Sequence, residues 1–254
     1  MTTTTLIATL VGGPTVHLAW AGRSLLTDPT FDPAPREYVG RVPLHKLVGP
    51  AVPADALGPL DAVLLSHDEH ADNLDAAGRA LLARVPLVLS TPGAAERVGG
   101  VTGLEPWQTV ALAGPRRARV TAVPALHGSP GAQAVTGDVT GFVLEGEGAA
   151  TVYVSGDNAS VDIVGQVVER FRVDVAVLFV GGARVGAPAL EPLTLDAPLA
   201  VAAARLLPDA RLLPAHHTDW AHFAEPLDAV VEALVADGHG DRLVVLERGR
   251  PTQV

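Results

Sequence analysis

The 254-residue sequence contains no cysteine, a single lysine and no apolar run approaching the ~20 residues of a membrane span. Without cysteine there is no disulfide framework, no thiolate zinc site, no iron–sulfur cluster and no cysteine nucleophile. Any metal must therefore sit on His, Asp, Glu or backbone oxygen. Basic charge is also scarce: 18 Lys+Arg stand against 28 Asp+Glu, a formal net charge of −10. That balance disfavours nucleic acid or another polyanion held by bulk electrostatics. The lone lysine, Lys46, beside 17 arginines reads as the bias of a GC-rich genome rather than as chemistry. No basic leader precedes the threonine-broken start MTTTTLIATLVGG, which does not resemble a signal peptide, so a cytoplasmic protein is expected. Low-complexity linkers and charge blocks are lacking too, and one domain over residues 1–254 is expected. What is abundant is hydrophobic residue, 48%, enough for a substantial core.

Thr5–Val11, Thr15–Trp20 and Arg23–Thr27, separated by Gly12-Gly13-Pro14 and Ala21-Gly22, predict an antiparallel meander. Asp28–Pro53 is rich in proline and reads as an irregular loop. Ala62–Ser66 and Leu87–Ser90 are short buried strands, with a helical pattern over Asn73–Arg84 between them and a short helix opening at Thr91-Pro92-Gly93. Thr109–Ala113, Ala118–Val123, Val139–Glu145, Thr151–Ser155, Asp174–Val180, Arg211–Pro214 and Arg242–Glu247 read as further strands. Val161–Phe171, Asp196–Leu207 and Pro226–Asp237 read as helices. A meander first and β–α alternation later fit an α/β fold of two mixed sheets covered outside by helices.

The polar residues that stand out directly follow apolar strands. AVLLS leads into His67, Asp68, Glu69, His70 and Asp72; ARVTAVPAL into His127; TVYVSG into Asp157; and RLLPA into His216 and His217. Four strand ends delivering imidazole or carboxylate to one crevice suit a divalent cation. Taken singly, each has a bland alternative. His127 equally fits a hydrogen-bonded structural residue, Asp157 an N-cap for the following helix, and the 67–72 run a solvated turn. His17, His45 and His239 read as structural.

The ordered segments SHDEHADNLD, PALHG, YVSGDN and LLPAHHTDW, with LLTDPTFD at residues 25–32, resemble the metallo-β-lactamase-fold hydrolases. The similarity spans about residues 5 to 247 and is nearest the branch of ascorbate-6-phosphate lactonase-like and N-acyl phosphatidylethanolamine phospholipase D-like proteins. It implies a four-layer αββα sandwich. The family's first motif, H-x-H-x-D-H, is altered here. Counting from His67 puts Glu69 in the second His position, whereas counting back from Asp72 puts His70 there; in both, Asn73 replaces the final His. The resemblance thus implies a first metal position of His67, Glu69 or His70, and His127. A second would use Asp72 and His216, short of an imidazole, with Asp157 bridging. His216 fits that role better than His217, because PAH follows the strand as in the family's terminal motif.

A neutral amide is a poor zinc ligand, so Asn73 should weaken the second position, and a ligating Glu69 would shift preference from zinc towards manganese or iron. One tightly bound cation with a weak second, a pair other than two zincs, or a vestigial empty site all follow. The implied chemistry is metal-assisted hydrolysis of a small ester, lactone or phosphodiester. Asp72 or Asp157 would orient the nucleophile, and His217 or His222 would donate to the developing anion. Asp28 would lie near the site, Trp220 and Phe223 would form an apolar wall, and Arg184 would bind an anion, although a packed loop and a solvated arginine explain these three as well. Substrate would be read by loops Asp28–Pro53, Gly128–Thr136 and Gly182–Leu195. A ligand-binding protein without hydrolysis, or a metal-dependent lyase, cyclase or isomerase, is the alternative. The partner is a small molecule, with homo-oligomerisation left open.

Overall fold

Turns at Gly12-Gly13-Pro14 and Ala21-Gly22 fold the N-terminal segments into β1 (Ile7–Gly12), β2 (Thr15–Trp20) and β3 (Arg23–Thr27), an antiparallel meander. The computed structural model describes residues 5–40, 42–114, 116–185 and 191–254. Arg41, and residues 186–190 of the expected substrate loop Gly182–Leu195, lie outside these. The proline-rich stretch after β3 is not wholly irregular: it contains a hairpin, β4 (Arg36–Tyr38) and β5 (Leu44–Lys46). Beyond it β6 (Ala62–Leu64), β7 (Val88–Ser90) and β8 (Val101–Gly103) continue the sheet in parallel. Their crossovers are α1 (Ala76–Leu82) and α2 (Pro92–Arg97).

The second sheet holds β9 (Thr109–Ala111), β10 (Ala118–Pro124), β11 (Thr140–Gly146), β12 (Val152–Val154), β13 (Val175–Phe179) and β14 (Arg211–Ala215). Short α3 (Gln133–Thr136) lies between β10 and β11, α4 (Val161–Val168) joins β12 to β13, and α5 (Ala197–Leu206) joins β13 to β14. After β14 come α6 (Leu227–Ala236) and β15 (Thr252–Gln253). The sheet orders are β15-β1-β2-β3-β6-β7-β8 and β14-β13-β12-β11-β10-β9.

Three buried clusters define four layers. Leu18, Trp20, Phe142 and Phe179 pack between the sheets; Val63, Leu65 and Val88 pack under α1 and α2; Val143, Tyr153 and Ala176 pack under α4, α5 and α6. Each such buried Val, Leu or Phe side chain contributes roughly 1.5–3 kcal/mol of apolar burial. The expected αββα sandwich is the observed fold. Among the described residues no helix is long and apolar enough to cross a membrane.

The expected final strand Arg242–Glu247 does not form. Leu243 makes one isolated parallel bridge to Leu212, and Val244 and Leu246 then insert between the sheets as the chain crosses to the other edge, where β15 pairs with β1. The four-residue apolar run Leu243–Leu246 is satisfied there by core packing rather than by a ladder.

Candidate metal centre

Local sequence sets each wall of the site. Asp75 caps α1 by accepting from Gly78 N at 2.8 Å, which fixes the turn 67–74 between β6 and the helix. Gly78 is obligatory, because a Cβ there would come within 1.8 Å of Pro29 O. The Asp75 carboxylate also accepts from Phe31 N, Asp32 N and Lys46 Nζ at 2.9, 2.6 and 2.9 Å. The lone lysine is thus a buried counter-ion, with Nζ 5.3 Å from the Trp220 ring. It ties the β4–β5 hairpin to α1. Its rarity was visible in the sequence, but its partner was not.

The strand ends after β6, β10, β12 and β14 converge. Donor atoms of His67, His70, His127 and Asp157 all lie within 4.8 Å of one another. His67 Nε2 and His70 Nδ1 face each other at 2.8 Å, and His127 Nε2 is 3.6 Å from Asp157 Oδ2. The ring orientations are set from behind. The Ser66 hydroxyl donates to Asp28 Oδ1 at 2.8 Å, so it accepts from His67 Nδ1 at 2.9 Å and leaves Nε2 unprotonated. Leu193 O can only accept, so His127 Nδ1 donates to it at 2.8 Å and Nε2 is turned towards Asp157. Burial holds the His67 and His70 pKa values down, and both remain neutral imidazoles.

Beside this group lie Asp72, His216 and His222. Asp72 Oδ2 is 3.0 Å from His222 Nε2 and 3.4 Å from His216 Nε2, while His216 Nδ1 is 2.8 Å from Asp157 Oδ1. His216 holds a left-handed backbone, φ 55°, a strained conformation that costs ~1–3 kcal/mol at a non-glycine residue. Burial alone would lower its pKa, but Asp157 and Asp72 overcome this and raise it to about 10. Burial would likewise raise both carboxylates, yet His222 and His216 hold Asp72 well below the usual range, and His216 and His127 do the same for Asp157. Two ionised carboxylates enclosed in protein call for positive charge. A donor set of imidazoles and carboxylates, with His216 Nε2 buried and making no hydrogen bond, fits a divalent cation.

Other expected residues fall elsewhere. Glu69 belongs to neither group: its carboxylate is 2.5 Å from Arg97, which also binds Asp68 at 2.6 Å. Asn73 turns its amide nitrogen to Asp157 Oδ1 and Ser66 Oγ, each at 3.4 Å, and so supports a carboxylate. Asp28 sits beneath His67, reaching it only through Ser66, and burial raises its pKa well above normal. His217 is in neither group, and burial beside His216 lowers its pKa to about 4. Phe223 packs edge-on against His216 with centroids 5.0 Å apart and lies 4.6 Å from the His222 ring, bracing both. Trp220 packs on Tyr38 at 5.3 Å. Arg184 pairs with Asp196 at 3.4 Å. Among the described residues, none of Trp220, Phe223 and Arg184 lines the cavity above the site.

That cavity, about 310 Å³, has Glu69, His70, Asp72, His127, Asp157 and His222 as its ionisable lining. The hairpin and neighbouring loops supply apolar walls, including Tyr38, Val42, Leu44, Val135, Val185 and Leu193. No lysine or arginine lines it among the described residues. The hairpin was not anticipated from the sequence.

The family described as the beta-lactamase superfamily domain matches residues 23–217. No curated protein sequence shows a significant match. Among solved structures, the chain is similar to an isothiocyanate hydrolase from Delia radicum gut bacteria, at 21% identity and TM-score 0.83, over 97% of this chain and 98% of that one. A novel metallo hydrolase from the hyperthermophilic archaeon Ignicoccus hospitalis KIN4/I has 19% identity and TM-score 0.70, over 99% of both chains. CmlA, a diiron beta-hydroxylase from Streptomyces venezuelae, has 18% identity and TM-score 0.67, over 100% of this chain and 55% of that one. These likenesses establish a shared fold.

Proposed function

The chain belongs to the β-lactamase superfamily and has the metallo-β-lactamase fold, and from that premise we propose that it is a metal-dependent hydrolase of small uncharged substrates. The observation that carries this reading is the convergence of His67, His70, His127 and Asp157, with donor atoms within 4.8 Å and two rings turned by Ser66 and Leu193 to aim their Nε2 atoms inward. These four residues would hold the cation. When bound, it supplies a lowered pKa for water and polarisation of the substrate's electrophilic group.

The protein's own groups do the rest. Asp72 lines the cavity and stays ionised beside His216 and His222, so it accepts from the attacking water and orients it rather than storing its proton. Asp28 and Ser66 fix the His67 ring, and Leu193 O fixes His127, so neither reorients during turnover. The hairpin's apolar side chains cover the substrate and keep bulk water from it.

Charge selects the substrate class. Among its described lining residues, the cavity has no lysine or arginine to pair with a phosphodiester. An uncharged ester or lactone with an apolar substituent fits better. An isothiocyanate, the substrate class named for the structural relative from Delia radicum gut bacteria, is also uncharged and belongs in the same panel. Steady-state assays of protein supplied with zinc, manganese or iron test this, using aryl esters, lactones, an aryl isothiocyanate and bis(4-nitrophenyl) phosphate. Turnover of uncharged substrates that is abolished in His127→Ala is expected. A clear preference for the phosphodiester contradicts the assigned class, and no turnover of any substrate with metal bound contradicts the hydrolase reading.

A further inference from the structure

We propose that Asp72, His216 and His222 hold a second divalent cation, with His222, from the loop after β14, supplying the imidazole that Asn73 does not. The inference rests on the metal-centre reading above and extends it to a residue that the sequence reading offered, with His217, as a proton donor.

Two segments far apart in sequence, the turn holding Asp72 and the stretch 216–222, bring Asp72 Oδ2, His216 Nε2 and His222 Nε2 together, with the carboxylate oxygen 3.4 and 3.0 Å from the two nitrogens. His216 is fully buried and its Nδ1 is committed to Asp157 at 2.8 Å, which turns Nε2 towards Asp72. That Nε2 has no hydrogen-bond partner, an arrangement a buried polar atom adopts at a cost unless something else binds there. His222 is held independently: its carbonyl accepts from Arg184 N at 3.1 Å and its ring lies on Phe223. Phe223 also packs against His216, so one aromatic wedge fixes both imidazoles facing Asp72.

Asn73 is turned the other way. Its amide nitrogen faces the Asp157 carboxylate, and the flipped orientation would set oxygen against oxygen. Three protein donors of imidazole and carboxylate type, with a cavity on the open side, match the composition of catalytic cation sites. The ligand class is a divalent first-row cation tolerant of nitrogen and oxygen donors.

Metal titration of the stripped full-length protein separates the possibilities. Wild type is expected to bind about two equivalents of Co(II), and His222→Gln about one, measured by elemental analysis after gel filtration and by the visible Co(II) spectrum. Because folding of the variant is an independent risk, wild type saturated with Mn(II) is also examined by electron paramagnetic resonance, where spin-coupled neighbouring ions are expected. Two equivalents retained in folded His222→Gln, or a wild-type spectrum of isolated Mn(II) ions, overturns the inference. Saturation at one equivalent that is lost in His127→Ala overturns this inference alone. No binding at all overturns it together with the metal-centre reading.

Discussion

Replacing Lys46 with methionine removes one charge and little volume from a place where the consequence is calculable. The ammonium is 2% exposed and 2.9 Å from an Asp75 carboxylate that is 0% exposed. Losing one partner of a buried ion pair costs about 3–5 kcal/mol, because the other charge stays enclosed and unpaired. Asp75 keeps three backbone donors, from Phe31, Asp32 and Gly78, which puts the expected loss at the lower end, about 3 kcal/mol. At about 2–4 °C per kcal/mol for a chain of this size, Tm should fall by about 6–12 °C. Urea unfolding at neutral pH gives the free energy directly, provided the slope is unchanged. Since β5 carries Lys46 and the hairpin walls the cavity, KM should rise while metal content stays constant. A loss below about 1 kcal/mol, typical of a surface pair, would refute the reasoning.

Removing the Ser66 hydroxyl in Ser66→Ala leaves His67 Nδ1 without its partner, and metal affinity should drop about 10–100-fold by chelator competition. An unchanged affinity would mean that the ring is oriented by something else. Gly78→Ala raises helix propensity by about 1 kcal/mol. Its Cβ would nevertheless meet Pro29 O at 1.8 Å, so overpacking should reverse the sign to a net loss of ~1–3 kcal/mol, seen as a lower Tm. Glu69→Gln should leave the metal equivalents of the purified protein intact, since Glu69 faces Arg97 at 2.5 Å. A lost equivalent there would make Glu69 a ligand.

The sandwich was legible because its signals are local. Gly12-Gly13-Pro14 sets the first hairpin, Asp75 and Thr91 cap helices, and apolar runs such as Val175–Phe179 announce buried strands. The site was legible at strand ends, where polar residues follow apolar ones. The choice between Glu69 and His70 was not, because it depends on how the turn after β6 winds and on Arg97, 28 residues beyond Glu69. Nothing within TDWAHF ties His222 to Asp72, 150 residues earlier; only the tertiary path of the loop does. Lys46 likewise looked like compositional drift until its carboxylate partner was in view. The expected strand at Arg242–Glu247 failed for a related reason, since a short apolar run suits inter-sheet packing as well as pairing.

The central claim is that His67, His70, His127 and Asp157 enclose a catalytic cation. Anomalous diffraction from crystals of the untagged protein, recorded across the absorption edges of zinc, manganese and iron, addresses it most directly. The account predicts an anomalous peak bounded by the nitrogens of those three histidines and the carboxylate of Asp157. A site without any peak, even after supplementation with each of the three metals, would contradict it.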